Sequence, residues 1–178
     1  MKILRTEHPE VFILETKYFA DNRGFFTESY NKKTFQELGF NHDFIQDNHS
    51  FSVEPHTIRG LHYQANPKAQ TKLVKVIKGA VFDVAVDLRK DSLNYGKYAT
   101  SILSENNKRQ MLVPKGFAHG FCTLVKNTHV IYKVDEYYSK EHDNGIIWND
   151  EKLAINWPTD SPILSEKDKI NPNITNIN

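Results

Sequence analysis

Between Val11 and Glu136 the chain is written as ten short runs rich in Val, Ile, Phe, Tyr and Thr, separated by turn-forming residues. The runs are Val11–Glu15, Gly24–Tyr30, Phe44–Ser50, Thr57–Tyr63, Lys72–Lys78, Val81–Leu88, Tyr98–Leu103, Arg109–Val113, Ala118–Val125 and Thr128–Glu136. Each has the length and composition of a strand, and their spacing predicts a mainly β sandwich or barrel. Lys78–Gly79 and Lys126–Asn127 have the composition of tight turns joining neighbouring strands. One clear helix is predicted over Lys32–Leu38, with Asn31 as its N-cap and Gly39 as its stop. A shorter helical turn follows Ser165, in Glu166–Lys167–Asp168. No internal repeat or compositional shift divides the chain. The expectation is therefore one domain over residues 1–178, with the Asn-rich end, 171–178, as a loose tail.

A formal net charge of +1 gives no global attraction to nucleic acid or to an acidic membrane, so any anion site must be a local group of Arg and Lys. Apolar stretches such as Ala80–Val81–Phe82 are cut by Asp83 and Asp87, far short of a membrane span. The segment Met1–Glu7 contains no apolar block of the signal-peptide kind. Cys122 is the sole cysteine, which excludes an internal disulfide and a multi-thiolate zinc site. These points predict a reduced, cytoplasmic setting.

Alternate strand residues share a face, and several polar groups fall in apolar company. Lys72 shares parity with Val74 and Val76, Tyr132 with Val130 and Val134, and His119 with Phe117 and Phe121. Gln46 and Asn48 lie with Phe44. Burying such groups is costly unless they are paired, so together they predict a polar-lined cavity. His62, in Arg59–Gly60–Leu61–His62, sits on a strand where Gly60 offers a bulge or a close backbone approach. Alone it reads more readily as a hydrogen-bonded interior histidine; with a carboxylate to hold its tautomer it is a suitable base near neutral pH. An inward Lys72 could stabilise charge developing on a substrate oxygen. Tyr132 is a candidate acid if it faces His62, and otherwise a routine core tyrosine. Arg23 and Arg59 would individually serve as surface charges but together suit a pyrophosphate.

Pro114–Lys115–Gly116–Phe117–Ala118–His119 has the Pro-x-Gly-x-x-His spacing of the second half of a cupin metal motif. The first half should bring two histidines one residue apart and a nearby glutamate. The chain instead has His62–Tyr63–Gln64, followed by the cation of Lys72. One or two remaining donors do not make a site that normally needs three, so no metal is expected. No Gly-x-Gly-x-x-Gly loop for a dinucleotide is present.

In order and spacing, the blocks Asp21–Ser29, Phe44–Ser50, Ile58–Gln64, Ala69–Val74, Val81–Asp87, Val113–Phe121, Ile131–Lys133, Trp148–Asp150 and Leu164–Asp168 resemble the dTDP-4-dehydrorhamnose 3,5-epimerase family. The resemblance runs from about Ile3 to about Asp168. It implies a cupin-type double-stranded β-helix (a jelly-roll barrel) with a few short helices, usually a homodimer. It also implies action on dTDP-4-dehydro-6-deoxy-D-glucose, with no metal or other cofactor. On that pattern His62 is the base, Asp168 its supporting carboxylate, Lys72 the group that steadies an enolate, and Tyr132 the acid. Nucleotide and phosphate contacts map onto Arg23, Phe26, Glu28, Gln46, Asn48 and Arg59, part of them supplied by a partner subunit. His119, Tyr138 and Lys167 fall on further active-site positions. Asp143 stands where the pattern has a glutamate. Rival readings are a mono-epimerase acting at carbon 3 or carbon 5 only, a metal-dependent cupin oxygenase, and a sugar-nucleotide-binding module without chemistry.

Overall fold

A computed structural model describes residues 1–177. Six strands form one antiparallel sheet: β1 (Lys2–Arg5), β2 (Phe12–Glu15), β5 (Gln46–Ser52), β7 (Lys72–Lys78), β10 (Arg109–Val113) and β12 (Thr128–Val134), in the order β1-β2-β10-β7-β12-β5. Five more form a second: β6 (Ile58–Gln64), β8 (Ala80–Asp87), β9 (Tyr98–Ser104), β11 (Phe117–Thr123) and β13 (Asp143–Gly145), in the order β13-β6-β11-β8-β9. From β5 to β8, and again from β10 to β13, each strand lies in the opposite sheet from the one before it. This alternation winds the chain into the mainly β jelly-roll barrel expected of it. Lys78–Gly79 and the 124–127 segment do turn the chain, but the strands they join enter different sheets instead of pairing.

The two sheets close on a shared core. Val74 and Val76 from one side meet Val81, Ala85, Phe117 and Phe121 from the other, and Met111, Val113 and Val130 fill the space between. Each sheet is also covered outside. On the six-stranded sheet, Leu14, Leu73 and Leu112 pack under Phe35 of helix α1 (Lys32–Glu37). That helix begins where the Asn31 side chain accepts from the backbone N–H groups of Lys33 and Thr34, satisfying donors the helix cannot pair itself. On the five-stranded sheet, Ile58, Leu61, Val84 and Ala118 pack against Ile146, Leu153, Trp157 and Ile174 of the C-terminal segment. Within the segment expected to be a loose tail, Ile174 is anchored against this sheet, and Asn178 lies outside the described residues. Ile174 is buried, its N–H donates to Asp150 Oδ2, and the Pro172 carbonyl accepts from Ile147. Polar composition obscured one apolar anchor and two hydrogen bonds.

A hairpin of β3 (Tyr18–Asp21) and β4 (Gly24–Thr27) stands apart from both sheets, with Tyr18, Phe19, Phe25 and Phe26 all exposed.

One local irregularity sets up the site. Opposite Gly120 of β11, strand β6 carries an additional residue, so that His119 pairs with His62 while Phe121 pairs with Arg59. This bulge resets the parity of β6: Ile58 and Leu61, three apart, both enter the outer cluster. Arg59 and His62, also three apart, both line the inner cavity. Gly60 makes the bulge possible. It sits at φ +132°, and a Cβ there would lie 2.5 Å from Gly120 Cα and 2.8 Å from the His119 carbonyl oxygen. Because both obstacles are backbone, Gly60→Ala is expected to cost about 2–4 kcal/mol. In thermal unfolding this is a fall in Tm of roughly 5–15 °C, and an unchanged Tm would contradict the account.

Candidate active site

A cavity of about 540 Å³ opens at one end of the barrel, a size suited to a small-molecule ligand. The six-stranded sheet contributes Gln46, Asn48 and Ser50 from β5, Lys72 from β7 and Tyr132 from β12. The other sheet contributes Arg59, His62 and Gln64 from β6, His119 and Phe121 from β11, and Asp143 from β13. Tyr138 closes one side, and helix α2 (Glu166–Lys169) brings Lys167 and Asp168. All but three of the residues expected at the site are therefore gathered in one place. Arg23, Phe26 and Glu28 are not: they lie exposed on and just beyond the β3–β4 hairpin, where Arg23 pairs with Asp21 at 2.6 Å.

His62 is set against Asp168. Ser165 caps α2 by accepting from the Asp168 N–H at 3.1 Å, which fixes the helix start and holds the Asp168 carboxylate against β6. Burial pushes that carboxyl up. Hydrogen bonds from His62, Ser165 and the Gly60 backbone outweigh burial and hold it below its ordinary range. An ionised carboxylate can only accept, so the 2.5 Å contact with His62 Nε2 makes that nitrogen the proton-bearing one. Nδ1 then keeps its lone pair. With the side chain about one-third exposed, this is a base with a fixed tautomer and an opening to the cavity.

Lys72 is almost wholly buried, and its Nζ donates to the His62 carbonyl at 3.2 Å. Burial pulls the ammonium down, with Asp143 and Asp83 opposing, to about 8. It is therefore charged at neutral pH but close to losing its proton. If the charge is needed for turnover, kcat should fall as pH rises through about 8, and a flat profile to pH 9.5 would show that it is not. Tyr132 is pushed the other way, upward, by burial and by Asp143, against Arg59. The phenol stays protonated at neutral pH and so can serve as a donor.

The polar rim is internally ordered. Gln46 Nε2 donates to Asn48 Oδ1 at 2.8 Å, and Arg59 is held by Ser52 Oγ at 3.1 Å and the Phe51 carbonyl at 2.9 Å. Asp143 accepts from both Lys167 Nζ at 2.6 Å and the Tyr138 hydroxyl at 3.2 Å, so the shorter acid engages both groups beside it. Among the described residues no three His, Cys, Asp or Glu side chains converge as a metal-binding group. Within the same residues no helix is long and apolar enough to cross a membrane.

This geometry can remove an acidic C–H proton, hold the resulting oxyanion and return a proton from another direction. The sequence matches the family model described as dTDP-4-dehydrorhamnose 3,5-epimerase over residues 5–176. The chain belongs to that family. A Shigella flexneri dTDP-4-dehydrorhamnose 3,5-epimerase is 50% identical over 169 residues, covering 94% of this chain and 93% of that protein. The crystal structure of the Bacillus anthracis enzyme, with TDP and pyrophosphate bound, superposes with a TM-score of 0.95 at 60% identity, covering 97% of this chain and 98% of that one. A Legionella pneumophila epimerase in complex with dTDP-4-keto-L-rhamnose gives the same TM-score at 43% identity, covering 99% and 94%. The cupin-type barrel is thus the family's fold.

Several residues at the cavity are not among those the sequence pointed to. Ser50, Gln64, Gln70 and Ser165 line the cavity, and Asp83 lies behind it against His119. For Asp83 a signal existed: an acid in the otherwise apolar Val81–Val86 run, in parity with Val81 and Ala85. Ser50 had one too, sharing parity with Gln46 and Asn48 on β5, whereas Gln64, Gln70 and Ser165 lie at element ends or in a loop, where strand parity gives no direction.

Proposed function

We propose that this chain inverts carbons 3 and 5 of dTDP-4-dehydro-6-deoxy-D-glucose, giving dTDP-4-dehydro-L-rhamnose, a step in dTDP-L-rhamnose biosynthesis. The observation that carries the reading is the His62–Asp168 pair opening beside a buried lysine in one cavity. The 4-keto group acidifies the hydrogens on both neighbouring carbons, because loss of either leaves an enolate. His62 Nδ1 takes the proton, the Lys72 ammonium meets the charge on the carbonyl oxygen, and Tyr132 or water protonates the opposite face. Hydrogens leave and return as protons, so no electron carrier is required and the scheme balances without a metal. Arg59, Gln46 and Asn48 bind the nucleotide diphosphate.

Incubation with the 4-keto substrate in heavy water, after treatment with chelator, should place deuterium at carbons 3 and 5. Deuterium at one carbon only would make the chain a mono-epimerase. Activity recovered solely on adding iron would overturn the scheme.

The working unit is a homodimer. The exposed aromatic hairpin supports this, as do Phe51, Ile77 and the His49–His129 pair on an uncovered face of β5, β12 and β7. On this reading Arg23, Phe26 and Glu28 complete the partner's cavity. Mixed dimers of Arg23→Ala and His62→Ala should then contain one intact site each. Co-expression should recover about a quarter of wild-type activity, and recovery no greater than that of either variant alone would exclude sharing. The cytoplasm is the setting consistent with a sole, buried cysteine.

A further inference from the structure

Strand β8 carries two aspartates on the same face, and they differ in a way that matters. Asp87 is saturated: Arg89 donates to it from its backbone N–H, Nε and Nη2, and Ser92 Oγ adds a fourth donor. It is a structural acid. Asp83, four residues earlier, is equally buried but holds a single partner, His119 Nε2 at 2.8 Å through Oδ1. Its Oδ2 is buried with no hydrogen-bond partner among the described residues. Val81 and Ala85 flank it on the strand, and an apolar side chain there would avoid the cost of a half-satisfied buried carboxylate. The acid sits behind the cavity, because His119 lines it and is the register partner of His62 across β6 and β11.

We propose that Asp83 is a positioning residue for the proton-transfer site: through Oδ1 it fixes the tautomer of His119, the register partner of His62. The proposal rests on the epimerase reading above. The effect follows from donor and acceptor chemistry. A carboxylate accepting from Nε2 leaves His119 with a free Nδ1, so the two neighbouring histidines present the same edge, each backed by an acid.

The test is Asp83→Asn, which keeps shape and removes charge, followed by kcat and KM from pH 6 to 9.5. The expected result is a kcat at least about 10-fold lower with KM within about threefold of wild type. An unchanged kcat, or a loss confined to KM, would overturn the proposal and leave Asp83 a packing residue. Wild-type protein labelled with ¹⁵N-histidine provides a check that needs no variant to fold. His119 should show the Nε2–H form, and an Nδ1–H form would overturn the proposal. Failure of the epimerase reading itself would show differently, as wild-type protein that exchanges no deuterium into the 4-keto sugar.

Discussion

Replacing His62 with alanine is expected to lower kcat by roughly 10³-fold or more and to stop deuterium entry at both carbons, while dTDP still binds. The size follows from how little else in the cavity can act as a base: His119, the other acid-backed imidazole, is almost wholly buried where His62 is one-third exposed. Asp168 is committed to His62 Nε2, the Ser165 hydroxyl and the Gly60 backbone, and Asp143 to Lys167 and Tyr138. Tyr132 is pushed toward its protonated form. Asp168→Asn is the informative companion. It retains a group of the same shape but no longer dictates which imidazole nitrogen carries the proton, so kcat should fall by about 10²-fold or more with KM little changed. Both variants should keep the fold, since His62 is one-third exposed and Ser165 still caps the helix. Exchange surviving at one carbon in His62→Ala would assign that carbon to a different base.

How far such a site can be read in advance depends on whether its geometry is local. Lys72–Lys78 and Arg109–Val113 are strands over the residues predicted, because alternation and β-branched content act within a few positions. The inward placement of Lys72 and His119 was legible for the same reason. By contrast, β13 is Asp143–Asn144–Gly145, a turn by composition, and is a strand only because it pairs with Gln64, Tyr63 and His62. The exposed strand β3 has no buried face to impose a period. Simple parity would send Arg59 and His62 to opposite sides of the barrel. Gly60 hinted at the bulge that reunites them, but its sense depends on Gly120 some sixty residues later. The partner of His62 lies still farther along, and only the family likeness pointed to Asp168 before the fold did.

Lys72→Met should separate function from stability in opposite directions. Methionine matches the length of lysine and suits a site in parity with Val74 and Val76, but it cannot meet charge on an enolate oxygen. Loss of one preorganised donor at a developing oxyanion should lower kcat by about 10²–10³-fold, with deuterium exchange reduced in parallel. The same change should raise Tm. A lysine whose pKa is pulled from 10.5 to about 8 by burial opposes folding by about 3 kcal/mol when charged. The sign fixes the pH window: the cost is absent above the unfolded value of 10.5, grows as pH falls toward 8, and is complete at neutral pH. Its one hydrogen bond, to the His62 carbonyl at 3.2 Å, returns only about 1–2 kcal/mol. The Tm gain should therefore be a few degrees at pH 7 and should vanish near pH 11. A variant that loses both activity and stability at pH 7 would mean that the ammonium holds the barrel together. Gain in one and loss in the other is the signature of a charge kept for chemistry at the fold's expense.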